Sequence, residues 1–343
     1  MLPLAFWLMP AAMGAAAPGA CPATVLRGSA PTILSTLAPA WRTAFAARSP
    51  GTAIELITPF GPPQGALDPA LEAFLEGRAD FAFLTRDIAE ADLGTFRRSH
   101  RGAAPLVVPV AAGAWDKFGY VDAVAIVVNE ANPLRRLSFR QLDALFSSTR
   151  LRGGRAPADW AALGVAGWRG RPIHVTGGGG WADEESARAL TIRRRVLSRG
   201  DRRGAWRPAP DSGSEAEVVD RVAADPLAIG FTGMGHLKPG VRAVAIAAGN
   251  RAPAYLPTAA TIAADRYPLA RSVDLLLAPA PAAACGARLR AFARYLLSGD
   301  GQRQISPSGV FLPLSAEARR RSLRMLGGQP ARGSTMVMRR PRG

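Results

Sequence analysis

Ser29 and Thr32 stand in LRGSAPTILSTLAPAWRTAF, residues 26–45, where a short apolar strand gives way to a Gly-Ser turn and then to an amphipathic helix. Backbone N–H groups in a helix's first turn lack intrahelical partners and sit at the positive end of its macrodipole, so small residues there let an anion come close. Ser and Thr are equally ordinary N-caps, and on the turn alone capping is the simpler assignment. A second small-residue run, GGGGWA at 177–182, follows the strand-like PIHVT and precedes a helical pattern. It formally satisfies the G-x-G-x-x-A spacing of a dinucleotide-binding turn. The acid such a turn needs at the end of the next strand is not evident, because Asp201 has the spacing but lies in the turn-like SRGDRRG. There is no Gly-Lys-Ser/Thr loop and no H-E-x-x-H, and His100, His174 and His236 have no Ser or carboxylate at triad-like spacing. The only cysteines are Cys21 and Cys285, so no C-x-x-C or Cys/His cluster offers zinc or dithiol chemistry, and a single disulfide between them stays open. The expectation is a binding protein rather than an enzyme, with no cofactor and no metal.

The elements that must position these turns are short apolar runs alternating with helical patterns. TAIELIT (52–58), ADFAFL (79–84), APLVVPVAAGAW (104–115), VDAVAIVVN (121–129), RPIHVTG (171–177), LAIGFTG (227–233) and SVDLLLAPA (272–280) read as strands. Helical patterns occupy 66–76, 138–147, 183–198, 214–223 and 285–297. That alternation predicts α/β architecture of the parallel type, and the near-continuous apolar strands suit sheets covered on both faces.

At 343 residues and 48% hydrophobic content the chain can bury a sizeable core. Its formal net charge is +17, from 43 Lys plus Arg against 26 Asp plus Glu, which favours anionic partners. Arg188, Arg193, Arg194, Arg195, Arg199, Arg202, Arg203 and Arg207 form a basic stretch, but only Trp206 could stack on a base. A solvated helix surface is the expectation there, with no nucleic-acid partner. Residues 1–20 are apolar and then rich in Ala and Gly, too short and Pro-interrupted for a comfortable span, and resemble a signal peptide. Cys21 leaves a lipid anchor as the minority option. From Arg319 onward the chain is rich in Arg and Gly with little to bury, which predicts disorder for 332–343.

In order and content, RGSAPTI with the Trp41/Phe45 helix, LEAFLEGRADFAFLTRDI, VDAVAIVVNEANPLRRLSFRQLDALFS, DPLAIGFTGMGHL, YPLARSVDLLL and FARYLLSGDGQRQISPSGVFLPL resemble the phosphate-binding (PstS-like) branch of periplasmic substrate-binding proteins of ABC transporters. The resemblance covers most of residues 25–314. It implies an α/β fold with two lobes in the periplasmic-binding-protein type 2 arrangement and a hinge between them. The divisions expected are 22–115 for lobe I, 120–245 for lobe II, 246–325 for the return to lobe I, and a basic tail at 326–343. It also implies a small anion, phosphate favoured, held between lobes that close on it, a permease partner, and an exported or periplasmic location.

Carried over residue by residue, the first anion loop is Gly28, Ser29, Ala30 and Thr32, supported by Thr85 and Arg86 after ADFAFL. Arg86 could equally serve an ion pair with Asp87 or Glu90. The family's second-lobe motif, an Arg followed by Ser-Gly-Thr at a helix start, corresponds here to IHVTGGGGWADEESARAL. Thr176 with Gly177, Gly178 and Gly179 is the expected second-lobe contact. The family's Arg is absent from that position, and Asp183, Glu184 and Glu185 already complement the helix dipole. This departure keeps open the same fold acting as a sensor or scaffold without phosphate.

Overall fold

The computed structural model describes residues 25–57, 69–117, 119–178, 186–208, 212–279 and 283–327. The expected signal segment, the possible anchor and disulfide at Cys21, Gly179 and the tail beyond Gly327 lie outside them. The first third of the described chain runs β1 (Val25–Ser29), α1 (Leu37–Ala46), β2 (Ala53–Ile57), α2 (Pro69–Leu75), β3 (Phe81–Leu84), α3 (Glu90–Ser99) and β4 (Leu106–Ala112). The middle runs β5 (Val124–Asn129), β6 (Arg136–Ser138), α4 (Phe139–Phe146), β7 (His174–Val175), β8 (Gly177–Gly178), α5 (Ala187–Ile192), β9 (Ser212–Gly213), α6 (Glu215–Ala224), β10 (Ala228–Gly233), β11 (Val241–Ala243) and β12 (Ala245–Ala247). The chain then returns through α7 (Ala259–Ala263), β13 (Ser272–Leu277), α8 (Ala283–Leu296), α9 (Gly299–Arg303) and α10 (Ala316–Gly327).

Two principal sheets result, ordered β2-β1-β3-β13-β4 and β11-β5-β10-β7. Neither is purely parallel, which corrects the expectation from the alternating pattern. β1 pairs in parallel with β2 and β3, but β13 runs antiparallel to both β3 and β4. In the second sheet β5 is antiparallel to β10 and β11. The cause is topological: β13 re-enters the first sheet from the second lobe, so it arrives at the end where β3 and β4 finish.

Each lobe is held by an apolar face pressed on its sheet. Helix α1 buries Leu37, Ala38, Trp41 and Phe45; Trp41 lies against Phe83 with ring centroids 5.4 Å apart and donates from Nε1 to the Gly301 carbonyl at 2.8 Å. The close packing of β1 on β3 needs Gly28, because a Cβ there would sit within 2.0–2.5 Å of three Phe81 ring atoms. Helix α4 begins with a capping box between Ser138 and Gln141, and α6 with one between Ser214 and Glu217, as their sequences dictate. Helix α10 reaches Gly327 and buries Ala318, Ser322 and Leu326, with the Ser322 hydroxyl donating to the Pro109 carbonyl at 2.8 Å. The expectation that the chain has little to bury from Arg319 onward is therefore corrected: those three small or apolar residues fall four apart, on one stripe facing β4.

Two strand-like passages connect the lobes side by side. The β4–β5 passage and residues 267–272 exchange bonds from Val124 N–H to Leu269 at 3.1 Å, from Gly113 N–H to Arg271 at 2.8 Å, and from the Tyr267 hydroxyl to Val124 at 2.8 Å. Arg271 belongs to this double crossover.

Candidate functional site between the lobes

In parallel-stranded α/β units the ligand end is where strands run out into loops. In the first lobe β1 ends at Ser29 and β3 at Leu84. Ser29 and Ala30 are fully buried, and the Ser29 hydroxyl has no hydrogen-bond partner among the described residues. The following turn is a short 3-10 helix over Thr32–Leu34, led in by Pro31, and α1 starts after Thr36; neither start carries a side-chain cap. The simpler assignment of Ser29 or Thr32 as N-cap is thus not what their side chains do, and Thr32 is exposed.

After β3 the chain makes the turn Thr85, Arg86, Asp87. Arg86 donates from Nη1 to Asp92 Oδ2 at 2.6 Å and to the Asp87 carbonyl at 3.0 Å. Asp92 in turn accepts the Ala89 N–H at 2.8 Å at the start of α3, so the guanidinium is tied into a helix N-terminus. Asp87 points across to the second lobe. Its Oδ2 accepts from the Thr191 hydroxyl at 2.7 Å, and its Oδ1 accepts from both Nε and Nη2 of Arg195 at 3.1 Å. Burial works to raise the Asp87 carboxyl, but Arg195 and the Thr191 hydroxyl outweigh it and hold it below its usual value.

Arg195 can reach across because α5 widens after Ile192 into a π turn over Arg193–Leu197. Such a turn leaves carbonyls without regular helical partners. Arg152 takes two of them, donating to Val196 at 2.5 Å and to Arg195 at 2.6 Å. The Arg195 side chain also donates to the Ala270 carbonyl at 2.5 Å, fastening α5 to the crossover.

Two further arginines meet beside this bridge. Arg188, in α5, pairs with Asp122, whose side chain is fully buried, and with Glu215 at 2.9 Å. Asp122 also accepts the Gly235 N–H at 2.9 Å, and Glu215 lies 3.3 Å from His236 Nε2. The group packs closely on Gly233, where a Cβ would come within 2.1 Å of Asp122 Oδ2 and 2.5 Å of Arg188 Nε and would displace those side chains. Arg271 is 7% exposed and donates from Nη2 to the Thr85 carbonyl at 2.9 Å. Among the described residues it forms no ion pair, and its Nε has no partner. Burial, with Arg188 and Arg195 adding to it against the pull of Asp122 and Asp87, brings its guanidinium down to about 10. It stays charged at neutral pH. Nearby, burial pushes the Asp274 carboxyl up to about 6, with Asp87 acting in the same sense against the Ser272 hydroxyl that donates to it at 2.6 Å.

Of the second-lobe residues expected from the resemblance, Thr176 continues from β7 beside β10, and Gly177 and Gly178 lead toward the start of α6 at Glu215. Gly177 and Gly178 pair in parallel with Ser212 and Gly213. Thr176 lies beside Gly230 on the face that packs against Val218 of α6, and its buried hydroxyl has no partner among the described residues. No group of three or more His, Cys, Asp or Glu among the described residues could hold a metal ion. Arg271 and the Asp122–Arg188–Glu215 group are the residues of this candidate site that the sequence did not single out. Arg271 stands in YPLARSVDLLL, one residue before an apolar strand, where a lone Arg reads as a strand flank.

The fold agrees with the comparisons to known proteins. A family model described as a PBP superfamily domain matches residues 15–300, and the chain belongs to that family. The phosphate-binding protein PstS of Pseudomonas aeruginosa is 29% identical over 257 residues, covering 74% of each chain. The crystal structure of PstS from Borrelia burgdorferi superposes with a TM-score of 0.53 at 14% identity, over 85% of this chain and all of that one, which establishes the shared two-lobed fold. Among the described residues no helix is long and apolar enough to cross a membrane.

Proposed function

We propose that this chain is an exported solute-binding protein that takes phosphate, or another small oxyanion, between its lobes and delivers it to the permease of an ABC transporter. The observation that carries this reading is Arg271, a buried guanidinium at the junction of the lobes that is not ion-paired among the described residues. A buried charge without a counterion is costly, and it becomes favourable when an anion supplies the missing partner through charge-assisted hydrogen bonds. The Ser29 hydroxyl at the end of β1 offers a second donor from the first lobe. In this reading the turn at Ser29, Ala30 and Thr32 lets the anion approach the start of α1, Thr85 orients Arg271 through its carbonyl, and Arg86 braces α3. The bridge from Asp87 to Arg195 and Thr191 holds the lobes together around the ligand, which is how a two-lobed protein converts ligand contacts into closure.

Similarity to PstS from Pseudomonas aeruginosa over three quarters of the chain supports phosphate as the anion. The binding role needs no bond-making chemistry, in keeping with a site built of donors and a cation that is not ion-paired among the described residues. Isothermal titration calorimetry of the full chain with inorganic phosphate tests the proposal. One anion per chain bound at micromolar concentration, with sulfate as the competitor that measures selectivity, is the expected result. No heat with phosphate or sulfate would instead favour the same fold serving as a sensor or scaffold.

A further inference from the structure

The second lobe carries a separate cavity of about 570 Å³ on its flank, between the edge strand β7 and the C-terminal half of α6. Its walls are chiefly apolar, from Ile173, Val175, Ala224 and Ala228. Three donors interrupt that apolar lining. The Thr176 hydroxyl is buried without a partner among the described residues, and so is Nη1 of Arg221. The third is Arg207, which places Nη1 on the Leu145 carbonyl at 3.2 Å, leaving the rest of its fork uncommitted among the described residues. The single carboxylate in the lining, Asp225, is already engaged: it accepts the Leu227 N–H at 2.8 Å and lies 2.6 Å from His174 Nδ1.

We infer that this cavity is a second ligand site, taking a small organic carboxylate with an apolar body. Cavities of a few hundred Å³ with mostly apolar walls and a few convergent polar groups are the usual form of small-molecule sites. A guanidinium and a hydroxyl, each lacking a partner, match a carboxylate, which accepts hydrogen bonds on both oxygens. The apolar walls would desolvate an alkyl or aryl body, a contribution inorganic phosphate cannot make. The Asp225 carboxylate at the mouth disfavours a dianion more than a monoanion, which again separates this site from the one between the lobes. Pairs β7–β10 run from His174 and Ala228 toward the interlobe end at Gly233, so the cavity lies at the opposite end of β10 from Asp122 and Arg188.

Calorimetry of the full chain with 3-phenylpropionate, in the presence of saturating phosphate, tests the inference. One site of sub-millimolar affinity is expected, weakened about tenfold or more by Arg221→Gln, the loss of one charged hydrogen bond. Ala224→Trp, at an exposed position on the rim, should abolish it by filling the space, and circular dichroism of both variants checks that they fold. Phosphate titrations should be the same in both variants and the parent chain, so a failure of the phosphate reading is visible independently. The inference is overturned if 3-phenylpropionate does not bind at millimolar concentration, if phosphate displaces it, or if both variants bind it as the parent does.

Discussion

Arg188 and Arg271 are both buried guanidiniums at the junction of the two lobes, yet their surroundings differ in the one respect that matters for an anion. Arg188 is neutralised twice, by Asp122 and Glu215, and both carboxylates are further held, by the Gly235 N–H and by His236. Arg271 has the Thr85 carbonyl on one nitrogen and, among the described residues, no ion pair. The first arrangement leaves only the Arg188 Nε without a partner among the described residues, and adding an anion there would place it against two acids. The second leaves positive potential that Asp122 and Asp87 offset only through space, without an ion pair among the described residues. Counting arginines, of which this chain has a great excess over lysine, therefore says less than asking which of them is still owed a partner.

Breaking the Arg188 side of that comparison should have the largest effect. Asp122→Ala would leave Arg188 with one acidic partner, and removal of one member of a buried pair costs about 3–5 kcal/mol. Urea unfolding at neutral pH measures it, and a loss under about 1 kcal/mol would mean that Glu215 alone suffices. Asp274 probes burial on the Asp87 side of the junction. Its carboxyl titrates at about 6, above an unperturbed acid, so the folded state holds its proton more tightly than the unfolded chain. The stabilisation this gives is complete below the unfolded value near 3.8 and is lost as the pH rises through about 6. Asp274→Asn should accordingly be more stable than the parent at pH 8, by up to about 3 kcal/mol at 1.36 kcal/mol per pH unit, with the difference vanishing as the pH falls toward 4. A difference independent of pH would show that Asp274 is not buried as described. Arg86 gives the smallest effect: with its guanidinium on Asp92 and the Asp87 carbonyl, Arg86→Ala should lower stability by about 1 kcal/mol and leave phosphate affinity within about twofold. A large loss of affinity would return Arg86 to the ligand.

Much of the architecture can be read from local pattern. The apolar runs at 52–58, 79–84, 121–129 and 227–233 became β2, β3, β5 and β10, and the Ser138 and Ser214 boxes start α4 and α6 as their spacing predicts. Strand direction was not legible, because the orientation of β13 depends on a return from the other lobe that no local pattern encodes. Helix α10 was obscured by its arginines, although the spacing of Ala318, Ser322 and Leu326 carries its buried stripe. At the candidate site, the buried Ser29 hydroxyl stands in the turn that the sequence singled out. Arg271 was not: its burial comes from contacts with Thr85, 186 positions away, and from the crossover around Gly113. The packing of Thr176, just after β7, beside Gly230 and Val218 was not legible, because it depends on α6 and β10 some forty to fifty-five positions away.

The measurement that bears most directly on this account is phosphate binding by Arg271→Gln, a side chain that fills similar space without charge. Calorimetry should show affinity reduced about a hundredfold, some 3 kcal/mol, while the unliganded variant melts no lower than the parent because a costly buried charge has been removed. A folded variant that binds phosphate as tightly as the parent would contradict the assignment of Arg271 as the anion's counter-charge.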